Sequence, residues 1–348
     1  MKKWKWAFWI LGISVAIWIY VSAASSLRGQ METTLSAACR RPVSVRAAQF
    51  VLPAGIRLLD VVVPKMRGED RTPLSIDEIV TRYSVTSLTQ GQPGAEIVLV
   101  RPKLLMEWTP EIRTILNQIQ LGNPTGSSTP MTRLQVREGE LTFVDRMVVP
   151  NAFWNLQDVK LTVQTESGSR GHTYTLASSL GGDAGAHVGD LESEGGFISQ
   201  GPVDAKITLN HKEIKRLAPY LRQALGTAPS QGAIHLECRL TVHQGVLMAY
   251  NDVIATGIVF PTDAPTTLGP DGKRLVQLLT DREGKIHLSF IVTGKLGERL
   301  NWSDLATGAL REAMRQAMSR SIQRVLDETE QKKPVEEMLR KNMESLGR

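Results

Sequence analysis

Between Ile234 and Val242 the chain alternates without a break. Ile234, Leu236, Cys238, Leu240 and Val242 are apolar, and His235, Glu237, Arg239, Thr241 and His243 are interleaved with them. Successive side chains on a strand point to opposite faces, so this pattern predicts a strand buried on one side and wet on the other. It continues across a tight turn at Gln244-Gly245 into Val246, Met248 and Tyr250, and returns in Ile286, Leu288, Phe290 and Val292. Weaker strand signals precede these: Val43 and Val45, the run Ile56–Val63 between Pro53 and Pro64, Ile97–Val100, and Leu104–Met106. Leu134/Val136 and Leu141/Phe143 predict two short strands meeting at Glu138-Gly139. Leu161/Val163 and Val203, Ala205, Ile207 and Leu209 extend the series.

Helix signals are few. Ile76–Tyr83 is a short candidate, and Pro110–Gln120 follows Thr109 with Pro at the first helical position. Lys212–Leu225 and Asp304–Asp327 follow, the last with Ser303 as N-cap. The glycine runs at Leu180-Gly181-Gly182 and Glu194-Gly195-Gly196 read as turns. So many half-apolar strands with so few covering helices must pair their faces as a sandwich, close into a barrel, or bound an apolar groove.

The N-terminus is of a different character. No charged residue occurs from Trp6 to Leu27, which is about the ~20 apolar residues a membrane-spanning helix needs. Trp6, Trp9, Ile10, Leu11, Ile17, Trp18 and Tyr20 are the expected anchor residues, with rings near both edges of the run. Lys2, Lys3 and Lys5 crowd the leading flank, which predicts a cytoplasmic N-terminus and an exported body. A cleavable signal peptide, cut after Val21-Ser22-Ala23, is the alternative and exports the body equally. Residues 1–71 hold eleven Lys/Arg against four Asp/Glu, so the whole net charge of +6 lies beside this segment. That placement suits anionic headgroups and argues against nucleic acid as a partner. Cys39 and Cys238 are either a disulfide pair or, at the apolar position of Cys238, a buried thiol and a separate one.

Catalytic motifs are missing from the sequence: no G-x-x-x-x-G-K-[ST], no H-E-x-x-H and no G-x-S-x-G. His235 and His243 on one strand face would lie ~26 Å apart, with Cys238 pointing the other way, so they cannot share a metal ion. Asp145, Asp158, Asp252 and Asp281 recur near strand ends, where Asp serves turns. The expectation is a non-enzyme with no cofactor and no metal.

Two segments carry a family resemblance. One is Arg133-Leu-Gln-Val-Arg-Glu-Gly-Glu-Leu-Thr-Phe-Val-Asp145 followed by Leu156-Gln-Asp-Val-Lys-Leu-Thr-Val163; the other runs from Leu278-Leu279-Thr-Asp281 through Gly284, Ile286 and Val292 to Gly294-Lys-Leu296. Both resemble the AsmA-like superfamily of periplasmic proteins, and the resemblance extends across most of residues 1–325. It implies a mainly β fold with a few helices: an elongated, twisted antiparallel sheet curled into an apolar groove, behind an N-terminal transmembrane helix and ahead of a C-terminal amphipathic helix. The implied division is 1–28 anchor, 29–302 periplasmic β-rich domain and 303–348 helical segment. The implied role is a single-pass inner-membrane protein that binds or moves phospholipid for outer-membrane biogenesis; the alternative is a scaffold or assembly factor without lipid. Family members can be far longer, whereas about sixteen strands here would give only ~75 Å of sheet. The residues expected to line the groove are Leu134, Val136, Leu141, Phe143, Leu161, Val163, Ile234, Leu236, Leu240, Val242, Ile286, Leu288 and Val292. A dry sandwich core would use the same residues.

In the C-terminal helix Leu305, Leu310, Met314, Ala317, Met318 and Ile322 recur at helical spacing, with Arg311, Arg315, Arg320 and Arg324 on other faces. Such a stripe either caps the last edge of the sheet or docks on an envelope partner or an anionic membrane surface.

Overall fold

The computed structural model describes residues 22–65, 72–83, 94–109, 131–165, 171–182, 186–198, 201–261, 272–295 and 305–323. The anchor residues Trp6, Trp9, Ile10, Leu11, Ile17, Trp18 and Tyr20, and the candidate helix Pro110–Gln120, lie outside them. No helix among the described residues is long and apolar enough to cross a membrane.

The protein is mainly β. Among the described residues twelve strands are hydrogen-bonded as neighbours in chain order: β1 Ser44–Val51, β2 Gly55–Val63, β3 Leu74–Tyr83, β4 Ala95–Trp108, β5 Met131–Asp145, β6 Ala152–Thr165, β7 Gly171–Gly181, β8 His187–Ile198, β9 Val203–His211, β10 Gln231–His243, β11 Val246–Val259 and β12 Lys285–Lys295. Helices occupy 22–39 (α1), Ala218–Leu225 (α2), Gly272–Leu279 (α3) and 305–323 (α4), with a 3-10 turn at Ile214–Leu217 before α2. Two compact units result, Met1–Asp145 with Phe153–Ala205, and Arg146–Ala152 with Lys206–Arg348.

In the first unit, several strands place one residue in the left-handed region: Asp60 in β2, Arg101 in β4, Glu138 in β5 and Asp158 in β6, with φ of 49°, 48°, 53° and 49°. This conformation flips the phase of alternation while the pairing keeps one register, so the buried face of β2 moves from Leu58 to Val61 and Val63 across Asp60. In β4 and β5 the flips occur in step. Ile97 pairs with Leu134 and Leu99 with Val136 before Arg101 and Glu138, and Leu104 with Leu141 and Met106 with Phe143 beyond them, in one unbroken register. Exposed charges tie this irregular row together: Arg46 to Asp60 at 2.5 Å, Arg101 to Asp77 at 2.7 Å and Lys160 to Asp158 at 2.9 Å.

The outer edge of β1 is covered by α1. Ser36 Oγ accepts from the Val43 amide at 2.8 Å and Glu32 Oε1 from the Val45 amide at 2.8 Å. Leu27, Met31 and Leu35 pack against the buried residues Val43, Val45 and Val61. A sheet edge that would otherwise present free donors is thereby closed. The amide of Val45 and the nearby Arg28 hold the Glu32 carboxyl below its ordinary pKa.

Several expectations are corrected. Ile76–Tyr83 is strand, within β3, because the β2 and β4 backbones pair with it on both sides. Ile97–Val100 and Leu104–Met106 form one strand, and Glu138-Gly139 lies inside β5 instead of joining a hairpin. The sheet is not wholly antiparallel: β4 and β5 run parallel. Glu194-Gly195-Gly196 is strand, within β8. Cys39 and Cys238 are both free thiols, Cys39 exposed and Cys238 buried, as expected from its apolar strand position. The turn at Gln244-Gly245 stands as expected, with φ of 50° and 78° as a two-residue hairpin of this hand requires.

Candidate functional site

The second unit holds a half-open cavity of about 410 Å³, within the ~300–1,000 Å³ range of ligand pockets. Its floor is β10–β12, and the register of these strands explains why space exists. Cross-strand rows read Ile234–Ala255–Ile286, Leu236–Val253–Leu288 and Leu240–Ala249–Val292. In each row the central strand contributes the smallest side chain, Ala or Val. Large residues on the flanking strands therefore stand as two walls beside a trough along β11. A fourth row, Cys238–Asn251–Phe290, interrupts the apolar series.

The trough is prolonged by a bulge. The lining residues of β11 are Leu247, Ala249, Asn251, Val253 and Ala255, all odd, and then Ile258, which is even, as is Phe260 just past the strand. The phase change falls at Gly257, whose φ of 62° is the left-handed conformation that glycine adopts without a Cβ clash. The register of β10 with β11 shifts at the same level, between Gln231 and Ala233. Without that extra residue Ile258 and Phe260 would face away from the cavity.

Helices supply the roof. Leu217, Leu221 and Leu225, on the 3-10 turn and α2, recur at i+4, as do Ala306, Leu310 and Met314 on α4; Leu275, Val276 and Leu279 come from α3. Two side-chain hydrogen bonds set the approach of α4. Arg311 Nε donates to the Ala224 carbonyl at 2.8 Å and its Nη2 to the Gln223 carbonyl at 3.1 Å, placing a cation on the C-terminal end of α2, where the helix dipole favours it. The C-terminal stripe thus turns inward on its own unit, with Ala313 and Met314 buried and Ile322 exposed.

Asn251 and Tyr220 are the polar members of the lining. The Asn251 amide donates to the carbonyls of Ala249 at 2.9 Å and Phe290 at 3.5 Å, so its NH2 group is already engaged by backbone. Among the described residues, no lining residue carries a charge. Burial pushes the Cys238 thiol above its ordinary pKa.

Of the thirteen residues expected to line a groove, Ile234, Leu236, Leu240, Ile286, Leu288 and Val292 line this cavity. Val242 is buried in the same unit but is not part of the wall. Leu134, Val136, Leu141, Phe143, Leu161 and Val163 belong to the first unit. Among these Val163 is buried and the others are half-buried. The face expected for β11, Val246, Met248 and Tyr250, is the wrong one: Val246 and Tyr250 are 43% and 42% exposed. Helix α3 and the small residues of β11 were missed altogether.

The titratable residues do not converge on this cavity, and no group of three His, Cys, Asp or Glu among the described residues could hold a metal ion. Asp281 accepts from the amides of Glu283 and Lys285 at 2.8 and 2.9 Å, which closes the turn into β12 and holds its carboxyl below the usual range. His235 lies 2.5 Å from Asn210 Oδ1 and 3.4 Å from Glu237. No family model and no curated protein matches this chain.

Proposed function

We propose that this chain is an AsmA-like envelope protein, held in the inner membrane by its N-terminal segment with its body in the periplasm. In this reading it takes the acyl part of a phospholipid into the cavity of its second unit. The observation that carries the reading is the cavity itself, about 410 Å³ with an uncharged and almost wholly hydrocarbon wall. Such a wall recognises hydrocarbon and offers a polar substrate almost nothing in exchange for its water. The run of apolar residues from Trp6 to Leu27 supports the membrane location.

The test is lipid analysis by mass spectrometry of the full-length protein purified in mild detergent, compared with Val253→Trp. The Trp side chain would fill the trough between Leu236 and Leu288. The reading expects co-purified phospholipid approaching one per chain in the wild type and a large loss in the variant. Equal lipid in both, at the level of a single-span control protein, would leave the scaffold alternative standing and overturn the carrier reading.

A further inference from the structure

The direction of α1 and the ends of the first unit's strands bear on how that unit meets a bilayer. Along β1 the amides of Val43 and Val45 bond to Ser36 and Glu32 in that order, so α1 runs antiparallel to β1. From Glu32 back to Ser22 the helix rises ~15 Å, and from Val45 forward to Val51 the strand advances ~20 Å. Residue 22, which is preceded by the apolar run, therefore lies near the level of the β1–β2 turn.

That end of the unit has the chemistry of an interfacial surface. At the turn, Leu52 is 92% exposed and Phe50 is 49% exposed. The Tyr83 amide donates to the Ala54 carbonyl at 2.9 Å, and Gly55 pairs with Arg82, so the end of β3 lies beside the turn. Next to it is a polar recess of about 470 Å³ lined by Arg82, Glu96, Thr132, Arg133, Gln164 and Thr165, with Tyr83 and Gly94. Arg133 stands 3.9 Å from Glu96, and Arg82 makes no ion pair among the described residues, leaving a positive excess. An apolar tip with arginines set behind it is the arrangement that buries side chains among acyl chains and pairs guanidinium with phosphate.

We infer that this strand end of the first unit rests on the phospholipid surface, with Leu52 and Phe50 in the interfacial layer and Arg82 and Arg133 at headgroup phosphates. The inference rests on the membrane-anchored reading above. It goes beyond that reading by fixing which end of the unit meets the bilayer.

The experiment uses the full chain in nanodiscs of phosphatidylcholine and phosphatidylglycerol, with Cys39→Ser as background. Single bimane-labelled cysteines are placed by Leu52→Cys, Lys65→Cys and Ser14→Cys, and quenching is measured with lipids spin-labelled near the headgroup for positions 52 and 65 and low on the acyl chain for position 14. Lys65 follows the far end of β2, ~33 Å along the strand direction from Gly55. The expected result is strong quenching at 14, quenching at 52 at least twofold above that at 65, and loss of at least half of that excess with Arg82→Ala plus Arg133→Ala. Quenching at 14 with equal, weak signals at 52 and 65 would overturn the inference while leaving the anchor intact. Absence of quenching at 14 would overturn the anchored reading and the inference with it. Quenching at 52 that ignores the arginine substitutions would overturn the headgroup role given to them.

Discussion

Ala249 and Ala255 are buried at 8% and 7% exposure, yet each faces open volume between two larger neighbours. Enlarging them separates a cavity from a packed core. In a close-packed interior an added isopropyl group forces strain of ~1–3 kcal/mol. In a trough that holds exchangeable hydrocarbon, Ala255→Leu should leave the urea midpoint of delipidated protein unchanged or raised, because the new side chain occupies space already there. A drop of the size expected for overpacking would mean that the space is not real. His211 provides a second test at this scale. It is buried at 2% exposure at the end of β9, and its Nδ1 accepts from the Glu213 amide at 3.0 Å. Burial first, and then the charge of Arg216, depress its pKa, with Glu213 opposing them. The unfolded chain takes up this proton near pH 6.5, above the folded value. Stability from the neutral ring is therefore full above about pH 6.5 and lost as pH falls through the folded pKa. The urea midpoint should fall between pH 7.5 and 5.5, above the window in which the carboxyls of Glu32, Asp281 and Glu312 titrate. In His211→Gln, where an amide oxygen replaces Nδ1 as acceptor, that fall should shrink; an unchanged fall would place the titration elsewhere.

Among the elements, α4 bears most directly on the cavity, because Leu310 and Met314 are part of its wall. Arg311→Ala removes the cation from the end of α2, which should cost ~1–2 kcal/mol by the helix-terminus scale. It should also speed lipid release, with Arg311→Lys intermediate in both; lipid exchange and thermal midpoints would show it, and an unchanged release rate would mean that α4 is no gate. In the first unit, Glu32→Ala leaves the Val45 amide without its acceptor next to a fully buried side chain. A loss of ~1–3 kcal/mol is expected, read by chemical denaturation; a neutral substitution would mean that water serves the edge equally well. The strands themselves were largely legible, but their phases and ends were not, for identifiable reasons. A left-handed residue inside a strand and a hairpin leave the same trace in a sequence, a phase change beside a small or polar residue, so Glu138-Gly139 reads either way. Ile76 and Val80 are four residues apart, a spacing shared by a helix turn and by one face of a strand, and only the flanking strands decide. On β11 the more hydrophobic set, Val246, Met248 and Tyr250, faces outward, because the inward positions carry small residues where a trough is to be left. Hydrophobicity thus marked the walls of the cavity correctly and could not mark its floor, since a void leaves no signal of its own.

For the molecule as a whole, the strongest expectation concerns which side of the membrane it occupies. Lys2, Lys3 and Lys5 immediately precede the apolar run, whereas Arg28 is the nearest cation after it, and the next, Arg40 and Arg41, are a dozen residues further on. Orientation follows Lys and Arg close to the span, so the lysine cluster should stay in the cytoplasm. The free thiols of Cys39 and Cys238 are compatible with either compartment, and they leave the charge pattern as the deciding feature. Alkaline phosphatase, which needs an oxidising compartment to fold, should be active when fused after Arg348, and a reporter that requires the cytoplasm should be inactive at the same junction. Replacing Lys2, Lys3 and Lys5 with Glu should shift a measurable fraction of chains to the reverse pattern, because the remaining cations then lie on the other flank. An active cytoplasmic reporter on the unmodified chain would remove the exported reading, and with it any role in moving phospholipid across the envelope. Recovery of the lysines in the mature protein by N-terminal sequencing would separately decide between a retained anchor and a cleaved leader. Retention is expected, since the run reaches the length of a full span and carries tryptophans towards both of its ends.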